Sequence, residues 1–244
     1  MFRRIALPGI AAIAALVATS AAASDIEVIN APEIDISKNA VAEGWYIRGD
    51  LGYAGWVRGG RPRVTEAGVS QGFDERRFSR SFSYGAGIGY QFTDMMRADV
   101  TADFSRGDFN GRAACAGGPC AFDADYSSVG VMANGYVDLG TLAGFTPYVG
   151  VGLGATYLDW RDAACAGAGC TSPGLEGQDG TRFTYALMAG ASMDLTSSVK
   201  LDVGYRFSDI AGATAFRSTA GNMDVRDHGL QKHEFRVGLR VPLW

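Results

Sequence analysis

The residues of this chain best suited to chemistry are four cysteines in two copies of one spacing, Cys115-Ala-Gly-Gly-Pro-Cys120 and Cys165-Ala-Gly-Ala-Gly-Cys170. Four cysteines in an exported chain imply disulfides, with three connectivities open. The two local pairs are favoured, because glycine and proline in each spacer permit a tight turn. A metal centre would need all four thiolates to converge, and neither a histidine nor a Cys-x-x-Cys spacing supports one. A redox role lacks the two-residue spacer such sites use. The reading is therefore Cys115–Cys120 and Cys165–Cys170, with no bound metal and no cofactor.

A second set of candidates is charged. Arg48, Asp50, Arg97, Asp99, Asp138, Asp194, Lys200, Asp202, Arg206, Glu234, Arg236 and Arg240 sit in segments where they alternate with apolar residues. Two chemistries fit: a network of ion pairs that fills a narrow interior, or a path for ions. Filling is preferred, since charges withdrawn from water are costly unless partnered. Catalysis has less to stand on. The histidines are His228 and His233, and Ser208 and Ser218 are the hydroxyls a lipid-modifying site could use. No Gly-x-Ser-x-Gly motif accompanies them. They read as a loop histidine and a rim histidine, and the chain as no enzyme.

The elements that carry these residues are strands with a period of two. Phe183, Tyr185, Leu187, Ala189, Ala191, Met193 and Leu195 alternate with Thr184, Ala186, Met188, Gly190, Ser192 and Asp194. Val199, Leu201, Val203, Tyr205 and Phe207 alternate with Lys200, Asp202, Gly204, Arg206 and Ser208. One face is apolar and rich in aromatics, and the other holds charges and glycines. Oily outside and polar inside is the pattern of a barrel in an outer membrane. The N-terminus agrees: Arg3 and Arg4, an apolar run from Ile5 to Val17, then Ala21-Ala22-Ala23 before Ser24 read as a signal peptide over 1–23. Without Arg3 and Arg4, 20 basic residues face 26 acidic ones, a net charge of −6. That balance argues against nucleic acid as a partner.

The alternation predicts an all-β fold, an eight-stranded antiparallel transmembrane β-barrel over 44–244, behind a periplasmic segment over 24–43. The strands lie near Trp45–Val57, Phe82–Phe92, Met96–Ser105, Tyr126–Leu139, Tyr148–Leu158, Phe183–Leu195, Val199–Ser208 and Lys232 onward. Connections at Thr93–Met95, Gly140–Thr146 and Thr196–Ser198 are short. Those at Arg58–Arg80, Arg106–Asp125, Asp159–Thr181 and Asp209–Gln231 are long. Short periplasmic turns and longer extracellular loops fix the orientation. Glycine rows such as Gly85, Gly87, Gly89 and Gly150, Gly152, Gly154 leave room for large side chains from opposite strands. Trp45, Tyr90, Phe92 and Tyr148 mark the short-turn interface. Phe82, Tyr84, Phe104, Tyr157, Trp160, Phe183, Tyr205, Phe207 and Phe235 mark the other, with Trp160 an inward cap on the lumen if it faces in.

The stretch Gly44-Trp45-Tyr46-Ile47-Arg48-Gly49-Asp50-Leu51-Gly52-Tyr53 resembles the first strand of small alphaproteobacterial outer-membrane β-barrel proteins, the porin-family group of OmpA/OmpX kind. Ala133-Asn134-Gly135-Tyr136-Val137-Asp138 and Thr146-Pro147-Tyr148-Val149-Gly150-Val151-Gly152 resemble its fourth and fifth strands. The resemblance implies a cell outer-membrane location and a role in envelope integrity or surface contact. Members of that group usually end on an outward aromatic residue read by the barrel-assembly machinery. Here the outward set ends at Leu243, and Trp244 has the other parity. Expected partners are outer-membrane lipid and lipopolysaccharide, the barrel-assembly machinery during biogenesis, and an extracellular ligand taken by the loops. The barrel is expected to be a monomer. Competing readings are a narrow channel for ions or very small solutes, a lipid-modifying barrel enzyme and a soluble lipocalin-like barrel. The charged inward face opposes the last.

Overall fold

The computed structural model describes residues 43–59, 63–66, 69–115, 118–170, 175–218, 223–226 and 228–243. Residues 1–23, expected to be a signal peptide, residues 24–42 and Trp244 lie outside the described residues, as do the side chains of Cys115 and Ser218. Every regular element described is a strand: β1 (Gly44–Gly59), β2 (Arg63–Glu66), β3 (Val69–Phe78), β4 (Ser81–Gln91), β5 (Met96–Cys115), β6 (Gly118–Asp138) and β7 (Phe145–Trp160), then β8 (Ala164–Ala166), β9 (Leu175–Gly177), β10 (Asp179–Thr196), β11 (Val199–Ile210), β12 (Thr214–Ser218), β13 (Met223–Arg226) and β14 (Leu230–Pro242).

Eight of these, β1, β4, β5, β6, β7, β10, β11 and β14, pair antiparallel with their neighbours, and β14 returns to β1 to close the ring. Closure removes sheet edges, which hydrocarbon cannot hydrogen-bond. Register follows the side-chain alternation. Leu51, Tyr84, Val151, Leu153, Leu187, Val203, Val237 and Leu239 all point outward and are exposed, while Arg48, Asp50, Asp99, Asp202 and Arg240 point inward and are buried. Aromatic pairs ring the wall at both ends. Trp45 meets Tyr90 edge-on at 5.3 Å on the short-turn side, and Tyr205 meets Phe235 at 5.7 Å on the other. Tyr148, expected in the lower girdle, instead faces the lumen and is buried, because it shares the parity of Gly150 and Gly152.

The glycine rows make room for tyrosines, but from neighbouring strands rather than opposite ones. Tyr46 is cross-strand partner of Gly89, Tyr136 of Gly150 and Tyr148 of Gly190. A Cβ at Gly89 would collide with the Tyr46 ring, and one at Gly150 with the Tyr136 ring. Each inward tyrosine thus lies flat across a glycine, and an eight-stranded bore can hold all three rings.

The largest departure from the sequence reading is above the membrane. The segment expected as a loop at Arg106–Asp125 is strand almost throughout: β5 and β6 run on as a hairpin to the Cys115–Gly118 pair. The other long connections also carry short strands. β3 pairs with β5, β2 with β3, β13 with β2, β12 with β13 and β9 with β12. An Ala163–Leu175 bridge then brings β9 back beside the end of β7, where Arg161 N–H donates to the Asp125 carbonyl (2.9 Å). The membrane barrel therefore continues outward as an ordered β-rich head.

Candidate functional site

The interior is layered. At the periplasmic mouth Lys200 pairs with Asp194 at 2.5 Å, both partly exposed. Those two were expected in the lumen, but they flank the tight β10–β11 turn and sit on its rim. Above them, Arg240 donates to Asp202 (3.1 Å) and Ser192 (3.1 Å). Arg97 meets Asp138 at 3.2 Å. Its guanidinium lies over the rings of Tyr136 (4.1 Å) and Tyr148 (4.8 Å), an arrangement that stabilises a cation sheltered from water.

At mid-depth Arg48 grips two carboxylates, with 2.7 Å contacts to Asp50 and to Asp99. Asp99 also accepts from Asn134 (2.8 Å) and from Tyr46 (3.2 Å). Higher still, Asp103 pairs with both Arg206 (2.8 Å) and Arg236. Glu234 joins Arg236 (3.1 Å) and Lys232 (2.5 Å). The charges thus come in complementary clusters, in which ions pair with neighbours two residues along the same strand or across to another strand. Paired, hydrogen-bonded charges are the form in which a low-dielectric interior tolerates ions. Asp103, Lys232 and the three tyrosines belong to this network although no charge motif marked them. Their signal was parity alone, the inward position of each in its strand.

A band of hydroxyls follows, with Ser105 bonded to Ser128 (2.8 Å) and Thr156 to Thr184 (2.7 Å). Above it the inward residues become apolar. Phe109, Phe122, Tyr126, Leu158, Trp160, Leu175, Ile210, Phe216 and Leu230 form one buried cluster inside the head. Trp160 is its hub, packed against Tyr126 (5.1 Å), Phe216 (5.3 Å) and Phe109 (6.1 Å). Two cavities between these layers are small, about 20 Å³ beside Arg48 and Arg236 and about 40 Å³ at the hydroxyl band.

The outer surface changes character at the same height. Below it β5 and β6 present Val100, Phe104, Val129 and Val131, and above it Asp108, Asn110, Arg112, Asp123 and Asp125. Phe104 and Val129 therefore mark the outer membrane boundary on this side. Among the described side chains the nucleophile and base candidates do not meet, and that of Ser218 lies outside them. Ser208 faces inward and accepts from Arg206 (3.1 Å), whereas His233 faces outward and bonds the Tyr205 hydroxyl. His228 is exposed in the head.

The cysteines converge more than their spacing suggested. Cys165 and Cys170 form a disulfide with Cα atoms 5.9 Å apart. Cys120 is disulfide-bonded too. Its Sγ lies in one cluster with those of Cys165 and Cys170, all within 4.8 Å of one another. The Cys115 side chain lies outside the described residues, so the pairing expected for it is not among them.

The chain matches the family model "Outer membrane protein beta-barrel domain" over residues 10–241. It is 32% identical over 264 aligned residues to a protein of Brucella abortus (strain 2308), covering 91% of this chain and 92% of that one. It is 25% identical to a protein of Rickettsia bellii (strain OSU 85-389) named as a candidate adhesin, covering 81% and 87%. The outer membrane protein OprG from Pseudomonas aeruginosa superposes with a TM-score of 0.53 at 16% identity, covering 81% and 94%, a likeness of fold.

Proposed function

The chain belongs to the outer membrane protein beta-barrel domain family and lies in the outer membrane, and from that premise we propose that it is a filled, non-conducting barrel that displays its head for contact with an extracellular surface. The observation that carries this reading is the division of the interior into a charged lower plug and an aromatic upper core, while the strands run on past the membrane. A pore needs a wet path, and here the inward positions are taken up by paired charges, tyrosines and packed rings. What remains available to a partner is the head. Its outward face on β5 and β6 is polar and its core is apolar, the arrangement of a folded recognition module rather than of loose loops. The resemblance to a protein named as a candidate adhesin supports the same direction. In this reading residues 1–23 are the export signal, the barrel-assembly machinery inserts the chain, and the barrel works as a monomer in lipopolysaccharide and lipid.

Expression of the full chain in a non-adherent Gram-negative host tests it. Cells carrying the protein should bind epithelial cells or matrix-coated surfaces more than empty-vector cells. A variant whose β5–β6 hairpin is shortened between Arg106 and Asp125 should lose that gain while its barrel still migrates as folded on gels. Equal adhesion with and without the protein contradicts the proposal.

A further inference from the structure

Above the membrane the start of β6 and the turn after β8 are built against each other. Gly169 N–H donates to the Pro119 carbonyl (3.3 Å), and β8 pairs with β6 through Phe122 and Cys165. Gly167, at φ 119°, has no room for a side chain because the Pro119 carbonyl stands where its Cβ would be. This contact, rather than the spacing within either turn, is what gathers the three sulfurs of Cys120, Cys165 and Cys170 within 4.8 Å. Cys120 is buried in the apolar core of the head, while Cys165 and Cys170 pack against that core and are only partly covered. The cluster therefore has a dry back and an open front.

We propose that these three residues form a redox-gated site for a thiophilic divalent cation of the zinc class. Sulfurs around a tetrahedral zinc ion with Zn–S near 2.3 Å stand roughly 3.8 Å apart. The Cys120 sulfur lies within 4.8 Å of the other two, so a modest approach reaches that spacing. Cys165 and Cys170 reach it by opening their bond, which a Cα separation of 5.9 Å accommodates. An external dithiol is the reductant. For each bridge it gives up two electrons and two protons, leaves as its own disulfide and converts the bridge to two thiols. The cation then forms three metal–sulfur bonds and three protons pass to solvent. The fourth position is left to water. Oxidised, the Cys165–Cys170 bridge closes its own turn and leaves Cys120 unlinked to it; reduced and metal-loaded, the cation joins the two segments.

The test uses full-length protein refolded in detergent, reduced with a phosphine, desalted without air and titrated with Co²⁺ as the probe. Reduced wild type should develop a thiolate-to-cobalt charge-transfer band that saturates at one ion per chain. Oxidised wild type should show none. Cys115→Ser, which keeps the three sulfurs, should retain the band after reduction, and Cys115→Ser/Cys120→Ser should bind at least tenfold more weakly. Heat-dependent gel mobility reports whether each variant is folded, and Cys165→Ser or Cys170→Ser carries the same comparison if the double variant does not fold. Absence of the band in reduced wild type, or equal affinity in the variant lacking Cys120, overturns the proposal.

Discussion

Asp103 shows how single side chains hold this lumen together. It is the shared partner of Arg206 and Arg236, so Asp103→Ala takes from Arg206 its carboxylate and leaves Arg236 to Glu234 alone. Loss of one member of a buried ion cluster typically costs about 3–5 kcal/mol. Urea unfolding in lipid vesicles should show a loss of that size. Replacing all three by apolar residues of similar volume should recover most of it, since the cost lies in the uncompensated charge. A silent Asp103→Ala would mean that water reaches these arginines. The sequence placed Arg48, Asp50, Arg97, Asp99, Asp138, Asp202, Arg206, Glu234, Arg236 and Arg240 on inward positions, and the structure brings them together in the clusters described. Asp194 and Lys200 have the right parity but sit on the rim, because parity says which way a side chain points and not how deep it lies. The meeting of Cys120 with Cys165 and Cys170 was illegible for a related reason. It depends on a contact between the start of β6 and the turn after β8, made only once those strands have paired.

Within a strand, the alternation tells which face meets lipid. Leu187 is outward at mid-strand and half exposed, so Leu187→Arg should destabilise the inserted barrel by about 2–4 kcal/mol, read by vesicle unfolding. Wild-type stability in that variant would contradict the face assignment. Gly89→Val tests the interior face: the added side chain meets the Tyr46 ring, and over-packing of this kind costs roughly 1–3 kcal/mol. The membrane strands were readable because their polarity keeps one phase. The upper parts of β5 and β6 were not, because the phase inverts there. Phe104 is outward and apolar, whereas Arg106, Asp108, Asn110 and Arg112, on the same face, are polar, and the apolar residues Phe109 and Ala113 face in. Water replaces lipid outside and a packed core replaces ion pairs inside, so a continuous strand reads as a polar loop.

At the scale of the molecule, a membrane cylinder lined inside by paired charges extends outward into the head. The short turns, among them Thr93–Met95, lie at one end, and the head lies at the other. An epitope tag inserted between Gly117 and Gly118 should be reached by antibody on intact cells, and labelling only after the outer membrane is opened would reverse the orientation. The central claim is that the interior is filled, by complementary charges below and by aromatic packing around Trp160 above. Single-channel recording of the refolded full-length protein in a planar bilayer tests that claim most directly. The account predicts no stable conductance steps at moderate voltage, with the baseline unchanged as protein is added and its insertion verified separately. Regular steps that scale with salt concentration, and that change when Arg48 or Arg206 is replaced, would show an aqueous path through the lumen and contradict it.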